Sequence, residues 1–288
     1  MTPRSPGPVV NNPMKLSIAT DAISADFETS VLLGLEWGIE HFELKRIHHK
    51  RVPEITNEEI RIIQNVLRAH SVNLSTLSPG LFKIPLDQAL IEIELGVKFD
   101  KTVELANKLE TRSIIIFGFE RDNLRTEAEA IREIIDVFGR LAARAEQEGI
   151  TIFLENDRNL WGESPAAVRQ ILSGVNSPAL RLNWDPGNLV GAFPEAPYPT
   201  SFELIREFVG HVHVKDAKAT KEGFTHAMMG SGDVDWVGQF ERLLHDGYSG
   251  YCVIEPHFGE RVASSREHIL ATRKCLRLAE CRLRGTKS

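Results

Sequence analysis

Residues 112–118 read RSIIIFG and residues 150–155 read ITIFLE. Both are short runs rich in β-branched and aromatic side chains, the kind buried on both faces of a parallel sheet. Between them, residues 124–148 repeat apolar positions at three and four spacing, which predicts an amphipathic helix. Strand, helix, strand in this order implies two parallel strands joined by a crossover helix.

The same unit recurs along the chain. Strands are predicted at 15–20, 41–47, 72–78, 112–118, 150–155, 179–185, 211–215 and 251–255. Helices are predicted at 25–39, 57–71, 86–110, 124–148, 164–173, 200–209, 235–246 and 263–280. Thr56 or Asn57 caps the second helix, and Ser164-Pro165 opens the fifth as a cap followed by proline at the first helical position. Eight units of roughly 30 residues predict an α/β fold of the (β/α)8 TIM barrel type. The competing arrangement is an open doubly wound sheet. No G-x-G-x-x-G follows the first strand, which argues against dinucleotide binding on such a sheet.

The chain has 288 residues, close to the roughly 250 typical of one barrel. Residues 1–13, MTPRSPGPVVNNP, hold four prolines and little to bury. They read as a disordered tail before a single barrel domain spanning 14–288. The net charge of -6 argues against a nucleic-acid partner, whose phosphates select basic surfaces. Cys252, Cys275 and Cys281 form no CxxC pair, so neither a disulfide framework nor a structural zinc site is expected. No apolar run is long enough to span a membrane, and no charged start with an apolar stretch marks a signal peptide. Cytoplasmic localisation is the resulting expectation.

Four residues near the ends of successive strands carry metal-binding chemistry: Glu155, Asp185, His213 and Glu255. Their spacings of 30, 28 and 42 residues follow the strand–helix period. In barrels of this kind the active site lies at the C-terminal ends of the strands. Buried carboxylates there need a shared partner, and a divalent cation is one. Taken singly, each has a plainer reading as a solvated Glu, a turn Asp or a core His. Strand alternation puts His211 and His213 on one face and leaves either as the ligand.

The segments LEN, WDPGN, HVHVKD, GSGDVDW and IEPH resemble those of the xylose-isomerase-like TIM barrel superfamily. That group takes in sugar phosphate isomerases and epimerases, hydroxypyruvate isomerases, inosose dehydratases and endonuclease-IV-type (AP endonuclease 2) barrels. The resemblance implies that Glu155, Asp185, His213 and Glu255 bind one divalent metal. Mn2+ is the first expectation, with Mg2+, Co2+ or Zn2+ as alternatives. It also implies that Glu155 and Glu255 are catalytic. One takes a proton from the carbon beside a ketose carbonyl and the other returns it, with the enediolate stabilised by the metal. Asn188 stands where many relatives have His. It can serve a sugar hydroxyl but is a poor zinc ligand, which argues against a multi-zinc nuclease.

Lower-ranked substrate contacts are His257, Lys215 and Glu43, each with a salt-bridge or packing alternative. His226 and the loop 230–236 are further pocket candidates, with Asp235 read as a helix cap. Trp161 and Phe193 are weighed as an apolar wall, and the basic run 48–51 as a solvated loop. The expected function is metal-dependent isomerisation or epimerisation of a small ketose or related polyhydroxy carbonyl compound. The alternatives are a lyase of the same fold, acting on a keto-inositol, keto-sugar or 3-keto-glycoside, and a sugar-binding barrel with a vestigial site. A homo-oligomer is compatible with all three.

Overall fold

The computed structural model describes residues 14–193 and 195–285. The tail reading for residues 1–13 lies outside the described residues. Eight strands form a closed barrel: β1 (Lys15–Ala19), β2 (His41–Leu44), β3 (Asn73–Leu81), β4 (Ser113–Ile116), β5 (Thr151–Glu155), β6 (Leu180–Trp184), β7 (Val209–Val214) and β8 (Tyr251–Ile254). Each pairs in parallel with its sequence neighbours, and β8 closes on β1. The principal helices around them are α1 (Phe27–Glu36), α2 (Asn57–His70), α3 (Phe99–Lys108), α4 (Glu127–Glu148), α5 (Pro165–Val175), α6 (Phe202–Ile205), α7 (Trp236–His245) and α8 (Arg261–Gly285).

The unit that opened the sequence reading forms as expected. Thr126 caps α4 in a reciprocal capping box with Glu129. Alternation along β4 and β5 splits their side chains between two cores. Ile114, Ile116 and Leu154 join the large core that also contains Ile131, Ile134, Phe138 and Leu141 of α4. Ile115, Phe117 and Phe153 form a separate cluster with Leu160. The expected caps are present too: Thr56 on α2, Ser164 with Pro165 on α5, and Asp235 on α7.

Four local expectations are corrected. The helix expected over 86–110 is broken into Gln88–Ile93, a π turn at Glu94–Lys98, and α3. Gly96 leaves helical geometry there, and the buried Glu94 accepts the Phe82 N–H at 2.9 Å. The helix expected over 200–209 contains only the single turn α6, set between a proline-led turn at Pro197–Ser201 and Arg206–Phe208, and Val209 already belongs to β7. The strand expected over 41–47 stops at Leu44, and Arg46–Ile47 turns back onto Lys50–Arg51 as a small hairpin. A second hairpin, Asp216–Thr220 with Gly223–Ala227, stands where the sequence reading had only loop. No helix among the described residues is long and apolar enough to cross a membrane.

Candidate metal centre

Glu155 is the last residue of β5, and Asp185 and Glu255 directly follow β6 and β8. His213 is the penultimate residue of β7. Each offers a ligand atom, and those atoms all lie within 4.8 Å of one another. All four side chains are buried. His213 Nδ1 is 3.5 Å from both Glu155 Oε2 and Glu255 Oε2, and makes no hydrogen bond.

The strand ends explain the convergence. The two oxygens of Asp185 face different partners. Oδ1 accepts the Asn188 N–H at 3.3 Å and caps the short turn Pro186–Leu189, while Oδ2 faces Lys215 Nζ at 2.5 Å. Asn156 clamps the Asp185 backbone from both sides: its Nδ2 donates to the Asp185 carbonyl and its Oδ1 accepts the Asp185 N–H, each at 2.8 Å. Glu155 receives N–H donors from Asn183 on Oε2 at 3.2 Å and from Asn188 on Oε1 at 3.4 Å. Asn188, expected to meet substrate, donates to the Glu155 carboxylate.

Both histidines of β7 are buried, but they face different partners. His213 presents Nδ1 to the ligand carboxylates and Nε2 to Glu43 Oε2 at 3.1 Å. His211 lies one layer further in, 3.6 Å from the same Glu43 oxygen. Glu43, His211 and His213 are themselves close enough to form a second ligand group. A carboxylate behind a ligating imidazole fixes its tautomer and raises its basicity.

Electrostatics favour a divalent cation. Four buried carboxylates (Glu43, Glu155, Asp185 and Glu255) face two ammonium groups, Lys45 and Lys215. With His213 neutral, as a metal ligand must be, two negative charges remain in a buried site, where uncompensated charge is costly. Burial alone would drive His213 neutral, but Glu43, Glu155 and Glu255 hold its pKa well above the ordinary imidazole range. Burial would raise the Glu255 carboxyl, yet Lys45, Lys215 and His213 keep it well below its usual value. Asp185 goes the other way: burial pushes it up to about 6, against the pull of Lys215. An unpaired imidazole nitrogen among three such carboxylates fits a metal ion.

Lys45 was not singled out by the sequence reading. Its ammonium contacts Glu255 Oε1 past the end of β1, from the loop after β2. Only its place two residues after Glu43 on a strand end could have flagged it. Lys215, expected near substrate or paired with an acid, is paired with Asp185 and lies 3.5 Å from Glu255 Oε2. His257 is half exposed, with Nε2 3.2 Å from Glu255 Oε2, and stacks on His226. The Asp216–Ala227 hairpin carries His226 there. It packs so closely on Gly191 that a Cβ at that glycine would sit 2.2 Å from the Gly223 carbonyl oxygen. Trp161 is buried in the large core, the packing alternative, and Phe193 is partly buried against it.

Residues 33–276 match the family model described as the xylose isomerase-like TIM barrel. The chain belongs to that family. An inosose dehydratase of Bacillus licheniformis is 25% identical over 163 residues, which make up 51% of this chain and 53% of that protein. The match therefore spans about half the length of this curated relative. Among solved structures, an L-ribulose 3-epimerase superposes with a TM-score of 0.75 at 15% identity, covering 96% of this chain and 99% of its own. An IOLI protein with a zinc atom gives the same TM-score at 17% identity, covering 92% and 98%. At such identities these two structures speak for the shared fold.

Proposed function

We propose that this barrel is a divalent-metal-dependent isomerase or epimerase of a small ketose or related polyhydroxy carbonyl compound. The observation that carries the reading is the convergence of Glu155, Asp185, His213 and Glu255 within 4.8 Å, with the His213 Nδ1 left unpaired. These four residues would hold the ion, which supplies Lewis acidity to a substrate carbonyl when bound. Mn2+ suits three carboxylates and one imidazole, and Mg2+, Co2+ and Zn2+ are the alternatives.

The remaining chemistry belongs to the side chains. Glu155 is the base in this reading. Its pKa lies below the ordinary value, because His213 outweighs the effect of burial, so it is ionised at neutral pH. Asn183 and Asn188 fix the direction of its oxygens. Glu255 is the second proton-transfer group, steadied by Lys45 on one oxygen and by His257 on the other. General acid–base work needs such groups within hydrogen-bond reach of the reacting carbon. Asn188 and His257, at the edge of the centre, are the proposed substrate contacts. Lys215 and Glu43 support the ligands instead, given their partners.

The second reading is a lyase, favoured by the partial match to an inosose dehydratase. It shares the first step, proton removal beside a carbonyl, and then expels a β-hydroxyl. Metal analysis of the purified protein, with deuterium wash-in from solvent over a panel of ketoses and keto-inositols, tests both. Exchange should require the metal and vanish in Glu155→Gln. Exchange that survives chelation or that substitution overturns the mechanism. Water loss in place of an isomeric product selects the lyase.

A further inference from the structure

A cavity of about 280 Å3 opens beside Glu255, between the helical turn Thr20–Ile23 after β1 and the loop that leads from β8 into α8. Asp21, Lys45, Glu255, His257, Arg261 and Ser264 line it. At roughly 30 Å3 per water it has room for about nine waters. That suits a few hydroxylated carbons.

Asp21 is the unassigned group in this wall. Its carboxylate makes no side-chain hydrogen bond and no ion pair within 4 Å among the described residues. Burial raises its pKa although Lys45 lies nearby. The cation nearest it is already paired. Lys45 is engaged by Glu255, and the Glu255 and Glu43 carboxylates add like charge near Asp21. An anionic ligand would meet no free cation beside Asp21. A carboxylate with free lone pairs is instead an acceptor for hydroxyl groups.

We propose that this cavity is the subsite for a neutral, hydroxylated part of the substrate, and that Asp21 determines specificity by accepting hydrogen bonds from its hydroxyls. The assignment of Glu255 to the reacting end rests on the function proposed above. The subsite makes the substrate an unphosphorylated polyol at that end, extending past the carbons that react.

Titration calorimetry of the Mn2+-loaded protein with inositol and with inositol monophosphate tests this without requiring turnover. Inositol should bind, and the monophosphate should bind more weakly. Asp21→Asn should weaken inositol binding by roughly tenfold or more, the scale of a hydrogen bond to a charged acceptor. Equal inositol binding by Asp21→Asn and wild type overturns the assignment of Asp21, and so does tighter binding of the monophosphate. The comparison of the two ligands on wild-type protein holds even if the variant folds poorly. Deuterium wash-in is scored separately. Asp21-dependent binding with no exchange into any carbonyl compound refutes the proposed reaction and leaves the subsite standing. Exchange with Asp21-independent binding does the reverse.

Discussion

The two halves of the barrel are built from the same strand–helix unit but are equipped differently at the mouth. Strands β5 to β8 each deliver one candidate ligand: Glu155, Asp185, His213 and Glu255. Strands β1 to β4 deliver none of these. Their strand ends contribute Glu43 behind His213, and the loop after β2 contributes Lys45 onto Glu255. Further along the same side, Phe117 lies beneath the Lys83 ammonium at 5.0 Å. One half brings the candidate ligands together with Asn183, Asn188 and Lys215 as partners, and the other adds Glu43 and Lys45. A dense acidic centre can persist in a buried barrel mouth because Lys45 from one half and Lys215 from the other supply its counter-charges.

The largest effect should break the ligand half alone. Asp185→Asn keeps an oxygen to cap the turn but removes a ligand charge. Metal affinity, read by competition with a chelating dye, should fall beyond the roughly 10–100-fold that a supporting residue costs. An affinity within tenfold of wild type would take Asp185 out of the centre.

Next comes the counter-charge from the first half. Lys45→Met removes the partner of Glu255 Oε1 in metal-free protein and leaves Lys215 and His257 at Oε2, and breaking a mostly buried ion pair costs about 3 kcal/mol. Urea denaturation in the presence of chelator reads this, and added metal should recover part of the loss. A variant as stable as wild type would mean that Glu255 does not need Lys45.

Glu43→Gln sharpens the comparison further. It leaves every proposed ligand in place and removes only the carboxylate behind His213. Metal affinity should weaken by about 10–100-fold with the fold intact. If instead the loss matches that of Asp185→Asn, Glu43 belongs among the ligands, and the division between the halves fails.

The smallest effect belongs to the scaffold far from the mouth. Thr126→Ala removes the α4 cap and should cost about 1 kcal/mol, with metal affinity unchanged.

The barrel was legible because its signals are local. β-branched runs such as 113–116 and capping pairs such as Thr126 with Glu129 act within one turn or one strand. The broken stretch at 88–108 was not. Its interruption, at Gly96, accompanies the reach of Glu94 to the Phe82 backbone, a contact that no periodicity in the helix announces. The hairpin over 216–227 was missed because its mixed polar run has no buried face of its own, and it rests on Gly191.

The four central residues illustrate the same boundary. Their types and their roughly 30-residue spacing were present in the chain, and strand alternation placed each near one rim. Alternation could not separate His211 from His213, because both point the same way along β7. Depth in the barrel decides between them. His213 reaches the carboxylates of β5 and β8, whereas His211, one layer further in, reaches only Glu43. Lys45 on Glu255 and the cavity around Asp21 likewise arise only when β1 closes against β8 and brings chain positions more than 200 residues apart into contact. Sequence alone determined the repeating unit and the kinds of groups at its strand ends, because these follow from local periodicity. Barrel closure decided which groups share charge, because Coulomb interactions and burial depend on distance through space and not along the chain.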